Sequence, residues 1–125
     1  PMSTTIETLL AMSLPNPKTE TVTIPRLVMP DGKPLTLELR QLTFNQVADL
    51  RAHNRDFAVH TVLAGVKAPN LRDRSLREHF DAETPAELVK KLFSAGEIEE
   101  LSARISTLSG YHRKTVELVE DVQKN

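Results

Sequence analysis

Hydrophobic residues near the N-terminus recur at helical spacing. Residues Thr4–Glu7 resemble a capping box, and Ile6, Leu9, Leu10 and Leu14 follow near one face of a short helix that nearby prolines end. A helix this short is only marginally stable in isolation, so this segment either docks on another surface or is a loose end. We therefore expect residues 1–20 to form an N-terminal arm that carries the helix.

Two stretches of alternating apolar residues come next. Val22, Ile24 and Val28 lie on one side of the first stretch, and leucines alternate with polar residues over Leu35–Arg40. The Pro-Asp-Gly-Lys segment between them tolerates the positive φ angles of a tight turn. This pattern predicts a β-hairpin at about residues 21–40.

The proline inside the first predicted strand, Pro25, indicates a sheet edge or a β-bulge. Two strands alone are barely stable in water. The apolar face of the hairpin must therefore lie on helices or pair with strands of another copy of the chain.

The remainder of the chain has helical patterns. Capping-box motifs begin helices at Thr43, Thr84 and Ser94. Residues Phe57–Val66 leave almost no polar face, which predicts the most buried helix. A last amphipathic helix is predicted from four apolar residues near the C-terminus: Val116, Leu118, Val119 and Val122.

These elements predict an α+β fold, with an N-terminal β-hairpin followed by a mainly helical bundle of about five helices. A chain of 125 residues suits one hydrophobic core. We therefore predict two parts, the arm at residues 1–20 and a single α+β domain at residues 21–125.

Composition excludes several functional classes. Lys and Arg total 16 against 17 Asp and Glu, a balance that does not favour nucleic acid or an anionic membrane surface as a partner. Without cysteine there is no disulfide or thiolate metal site. No apolar run reaches the ~20 residues that span a bilayer, and the N-terminal segment does not resemble a signal peptide. We expect a soluble, intracellular protein.

Candidate catalytic and metal-binding residues are few. The four histidines lack the spacing of metal ligands, and the glycines are too scattered for a phosphate loop. Asp56 lies one helical turn before His60 and could orient it as a base, but no activated serine or threonine accompanies them. A surface ion pair is the simpler interpretation. We predict no catalytic residues, no metal site, no cofactor and no enzymatic activity.

Three blocks of the sequence resemble those of a known family. They are Leu35–Arg51 (LTLELRQLTFNQVADLR), Leu63–Leu71 (LAGVKAPNL) and Thr84–Tyr111 (TPAELVKKLFSAGEIEELSARISTLSGY). In order and spacing they are similar to the XkdN-like phage tail assembly chaperones. One departure is Ala95, where members of the family tend to carry proline, and it should loosen the turn because alanine does not fix φ.

The resemblance implies a non-enzymatic protein in the cytoplasm of the bacterial host. It would bind the phage tape measure protein and keep it soluble until the tail tube polymerises, and it would be absent from the mature virion. The family supplies no catalytic motif. A minor structural virion protein or a non-enzymatic adaptor is the alternative, and a small hydrolase using His60 and Asp56 is a third.

Contact with a client or with another copy requires exposed apolar surface. The arm and the hairpin edge are the segments where such surface is expected, and self-association into a homo-oligomer is expected with them. The predicted contact residues are Ile6, Leu9, Leu10, Val22, Ile24 and Val28.

Overall fold

The computed structural model of the chain describes residues 5–53 and 55–119. Its helices and strands follow in the order α1 (Ile6–Leu10), β1 (Thr19–Val28), β2 (Pro34–Arg40), α2 (Phe44–Leu50), α3 (Phe57–Gly65), β3 (Val66–Ala68), α4 (Arg74–His79), α5 (Pro85–Leu92) and α6 (Ala95–Leu108). The predicted α+β class is confirmed, with the hairpin ahead of a helical bundle.

Strands β1 and β2 form the predicted antiparallel hairpin, with Val22 opposite Leu37. Gly32 lies at the turn with a φ of 87°, and its amide donates to the Met29 carbonyl over 2.9 Å. Positive φ is available to glycine at no steric cost. The local sequence therefore determines both the position and the shape of this turn.

A β-bulge changes which side chains of β1 face the core. Ile24 pairs with Leu35, but the next pair along β1 joins Val28 to Pro34, so β1 carries extra residues around Pro25. As a result Leu27 packs against the core and Val28 is 64% exposed. Pro25 indicated the bulge correctly, but the prediction that Val28 shares a face with Ile24 was wrong because an irregular strand loses its alternation.

A third strand, β3, was not predicted. Val66 was assigned to the end of a buried helix, but α3 ends at Gly65 and Val66 pairs with Leu39 of β2. The sheet order is β1-β2-β3, so the hairpin gains a strand from its own chain. A lone hairpin is barely stable in water, whereas a three-stranded sheet packed on helices is stable.

Helix α3 occupies the centre of the molecule, as its apolar sequence predicted. Val62 is fully buried, and the buried Thr61 hydroxyl donates to the Phe57 carbonyl over 2.8 Å. Gly65 lies against Ile105 of α6, where a Cβ atom would have no room. The core between α3, α5, α6 and the sheet is almost entirely aliphatic.

The predicted helix starts are observed. The hydroxyls of Thr43 and Ser94 each accept from the third helical amide, and the glutamine or glutamate at that position returns a hydrogen bond. At α5 the Thr84 hydroxyl accepts from Glu87, but the Glu87 carboxylate accepts from the amide of Glu83. This helix therefore has one half of a capping box.

The last predicted helix is not observed in the described residues. Helix α6 ends at a left-handed turn where Gly110 has a φ of 100° and the Tyr111 amide donates to the Ser106 carbonyl. Beyond it residues 114–119 are not helical, and Val116 and Leu118 are exposed. Apolar spacing alone did not produce a helix because these side chains have no core to pack on. Val122 lies outside the described residues.

Within the described residues, no helix has both the length and the apolar character needed to cross a membrane.

Candidate partner-binding surfaces

The N-terminal arm presents apolar side chains to solvent. Its helix α1 is capped by Thr5, whose hydroxyl accepts from the Thr8 amide over 3.2 Å, and none of its residues is buried. Ile6 is 70% exposed, Leu10 is 79% exposed and Leu9 is also exposed. The predicted contact residues of the arm therefore form one apolar face with no observed cover.

The apolar surface of the arm continues past α1. Met12 and Leu14 are exposed in a segment without regular structure. The arm joins the domain at Lys18, whose amide donates to the Gln41 side chain over 2.8 Å and whose carbonyl accepts from the Gln41 amide over 2.9 Å. Sequence patterning assigned Leu14 to the helix face and gave Met12 no role.

The predicted contact residues of the hairpin have different environments. Ile24 is 5% exposed and belongs to the core, and Val22 is half-buried against it. Packing within the protein accounts for both positions. Val28 alone of these three is well exposed, and partner contact by any of the six predicted residues stays a prediction.

Strand β1 lies at one edge of the sheet beside α6. A groove of about 300 Å³ runs between them, with Val22, Ile24 and Leu101 among its lining residues. It adjoins a second hollow of about 350 Å³ near Lys18. Arg104 of α6 lines both, and its guanidinium donates to Glu20 across the groove. This edge is therefore partly closed by an ion pair.

A separate apolar groove of about 210 Å³ lies between α2, α3 and the end of α6. Its lining residues include Leu42, Val47 and Leu50, and the exposed rings of Phe57 and Tyr111 also line it. The side chains of Arg51 and His112 also line it. We call this site the aromatic groove. Sequence patterning did not predict this groove, because it depends on how the ends of three elements meet.

An ion pair fixes β1 to the start of α6. The Arg26 guanidinium donates to both Glu97 carboxylate oxygens over 3.0 and 2.9 Å and to the Leu92 carbonyl over 3.0 Å. The hydrogen bonds from Arg26 and from the Ser94 amide lower the pKa of Glu97 to about 2. The same hydrogen bond to Glu97 raises the pKa of Arg26.

Asp56 and His60 do not form the predicted ion pair. The Asp56 carboxylate accepts from the Lys90 ammonium over 3.0 Å, and this hydrogen bond lowers the pKa of Asp56. His60 stacks on His53 with 3.8 Å between ring centroids. Burial, followed by the charge of His53, lowers the pKa of His60. Lysine competes successfully for the carboxylate, and the arrangement gives no support to a hydrolase.

The described residues contain no group of three or more His, Cys, Asp or Glu side chains that could hold a metal ion.

The chain is similar to known proteins in sequence and in fold. The family model described as phage XkdN-like tail assembly chaperone protein matches residues 53–123. Among solved structures, the crystal structure of the protein YqbN matches with a TM-score of 0.59 and 21% identity, over 74% of this chain and 87% of that one. At this identity the likeness shows the fold alone. No curated protein matches the chain.

Proposed function

The chain belongs to the XkdN-like phage tail assembly chaperone family, and we propose that it binds the phage tape measure protein and keeps it soluble until the tail tube polymerises. The family match over residues 53–123 is the observation that carries this proposal. The role is non-enzymatic and consists of protein binding.

The exposed surface of the arm fits this role physically. A long helical client exposes apolar stripes that aggregate unless another surface covers them. The amphipathic helix α1 offers Ile6, Leu9 and Leu10 on one face, the spacing that helix-in-groove contacts use. Aliphatic contacts without large aromatic anchors suit a client that must later be released.

Location follows from the same role. The protein acts in the cytoplasm of the bacterial host, where the tail is assembled, and leaves before the virion is mature. Homo-oligomerisation through the arm or the hairpin edge is part of the proposal. Mass spectrometry of purified particles tests whether the protein is absent from the mature virion. A minor structural virion protein would be recovered in the particles.

The decisive experiment is co-expression with the tape measure protein followed by affinity recovery. We expect Leu9→Glu combined with Leu10→Glu to reduce the recovered, soluble client at least tenfold, because charge on the apolar face of α1 opposes its burial. The matched control is Thr8→Glu combined with Ala11→Glu, which adds the same charge to the opposite face of the arm helix.

The control should recover the client as the unmodified protein does. Equal recovery with the Leu9 and Leu10 variant would remove the arm from the contact surface. Failure of the unmodified protein to bind or solubilise the tape measure protein would overturn the proposed function itself.

A further inference from the structure

We propose that the arm helix α1 of one copy docks into the aromatic groove of a second copy. In the resulting arm-exchanged assembly the apolar face of α1, which the proposed function assigns to the client, is buried. The inference rests on the self-association included in the proposed function and specifies the two surfaces that meet. It makes client binding and self-association compete for the same side chains.

The first observation is that the apolar face of α1 is exposed in the described structure. None of the residues of α1 is buried, although Ile6, Leu9 and Leu10 recur at i, i+3 and i+4. Exposed apolar side chains at this spacing on a marginal helix are typical of a segment that becomes ordered on a groove.

The second observation is that the aromatic groove has the chemistry to receive such a helix. Leu42, Val47 and Leu50 line it with aliphatic side chains, and Phe57 and Tyr111 line it with exposed rings. No residue of the described arm lines the groove. Aliphatic side chains inserted between aromatic rings are a common core of specific interfaces.

Charge complementarity favours α1 as the occupant. The helix carries one acidic residue, Glu7, beside its apolar face, and Arg51 lies at the groove. Docking that buries Ile6 and Leu10 would bring the carboxylate to the guanidinium at the rim. Such a rim pair contributes to orientation more than to affinity.

The connection between arm and domain is long enough for α1 to reach a second copy, and the described residues of the arm do not line the groove of their own copy. Residues 11–18 have no helix or strand, and they include Pro15 and Pro17, which favour extended backbone and make a semi-rigid spacer. Eight such residues reach roughly 25 Å. A spacer of this length lets α1 reach a second copy, and exchange of an arm between copies then closes a symmetric dimer without new surface.

Sedimentation velocity across a concentration series tests the assembly. We expect the unmodified protein to dimerise or form larger species, and Leu10→Glu or a combined Arg51→Glu and Phe57→Glu variant to weaken association at least tenfold. Phe57 and Arg51 are exposed, so these substitutions leave the core intact, and thermal unfolding of each variant checks this. A monomeric unmodified protein throughout would overturn the proposal.

Complementation distinguishes exchange from other contacts. A chain without residues 1–14 keeps the groove, and the Arg51 and Phe57 variant keeps the arm. Each should be monomeric alone, and their mixture should form a one-to-one complex. Glu7→Arg and Arg51→Glu should each weaken association when made alone. Together in one chain they exchange the two charges, and the double variant should recover part of the lost association. Absence of the mixed complex would overturn the docking of arm into groove.

Addition of the client distinguishes failure of this proposal from failure of the proposed function. Added tape measure protein should dissociate the assembly, while the groove variant should still bind client because its arm is intact. If the assembly forms but no client binds, the proposed function fails and the exchange stands. If client binds but the assembly is unaffected by groove variants, the exchange fails alone.

Discussion

At the scale of single residues, the Glu97 carboxylate links the start of α6 to strand β1. It accepts from the Ser94 amide over 2.7 Å as part of the cap of α6, and it pairs with Arg26 of β1. The local sequence predicted the cap because its residues are neighbours in the chain. It did not predict Arg26, which is separated from Glu97 by 71 positions, since no local pattern reports such a distance.

This arrangement predicts a specific acid dependence. The pKa of Glu97 is about 2 in the folded protein against an ordinary value of 4.5. The lowered pKa adds stability that is complete above about pH 4.5 and is lost as the pH falls through 2. Glu97→Gln keeps an acceptor for the cap but loses the ion pair. Its deficit in unfolding free energy, measured with urea, should therefore be largest near neutral pH and shrink towards pH 2.

Glu99→Gln is the control for this prediction, because it removes the same charge from an exposed position of the same helix. Its effect should be smaller than that of Glu97→Gln at neutral pH. A Glu97→Gln deficit that stayed constant from pH 7 to pH 3 would contradict the assigned role of the carboxylate.

At the scale of elements, local sequence was sufficient for helix starts and the hairpin turn but not for helix ends that depend on tertiary contacts. Thr43, Ser94 and Gly32 act on residues within four positions of themselves. By contrast, Val66 leaves α3 because β2 offers it a partner. The C-terminal apolar pattern produced no helix over residues 114–119, where a packing surface is lacking. Tertiary pairing overrides weak local preference in such cases.

The close packing of α3 on α6 supplies the element-scale prediction. A Cβ atom added to Gly65 would lie 2.5 Å from two carbon atoms of the fully buried Ile105 side chain. Gly65→Ala should therefore destabilise the protein by about 1–3 kcal/mol through overpacking. Gly96→Ala is the matched control: nothing lies within 4 Å of its added Cβ, so it should be neutral or stabilise α6 by up to ~1 kcal/mol.

Urea unfolding of both glycine variants measures the contrast between them. Equal stability of Gly65→Ala and the unmodified protein would mean that Ile105 can move aside, and that the contact between the two helices is looser than the structure indicates.

At the scale of the whole molecule, apolar side chains are divided between a buried core and an exposed arm. The domain closes its core with aliphatic residues of the sheet and of α2, α3, α5 and α6. The described residues of the arm contribute no side chain to that core. Hydrophobic patterning predicted both the arm and the core helices, but it could not tell buried stripes from exposed ones. That distinction depends on which faces meet in three dimensions, as the buried Ile24 and the exposed Val28 show within one strand.

This division predicts that the arm can be removed without loss of domain stability. Deletion of residues 1–14 should change the unfolding free energy by less than ~0.5 kcal/mol, because α1 buries no residue. Ile24→Ala, which shortens a single side chain in the core, should cost about 2–5 kcal/mol. Both are measured by urea unfolding at a concentration where the protein is monomeric, since association would stabilise the intact chain by mass action. A deletion as costly as Ile24→Ala would place the arm in the core and leave no apolar face for a partner.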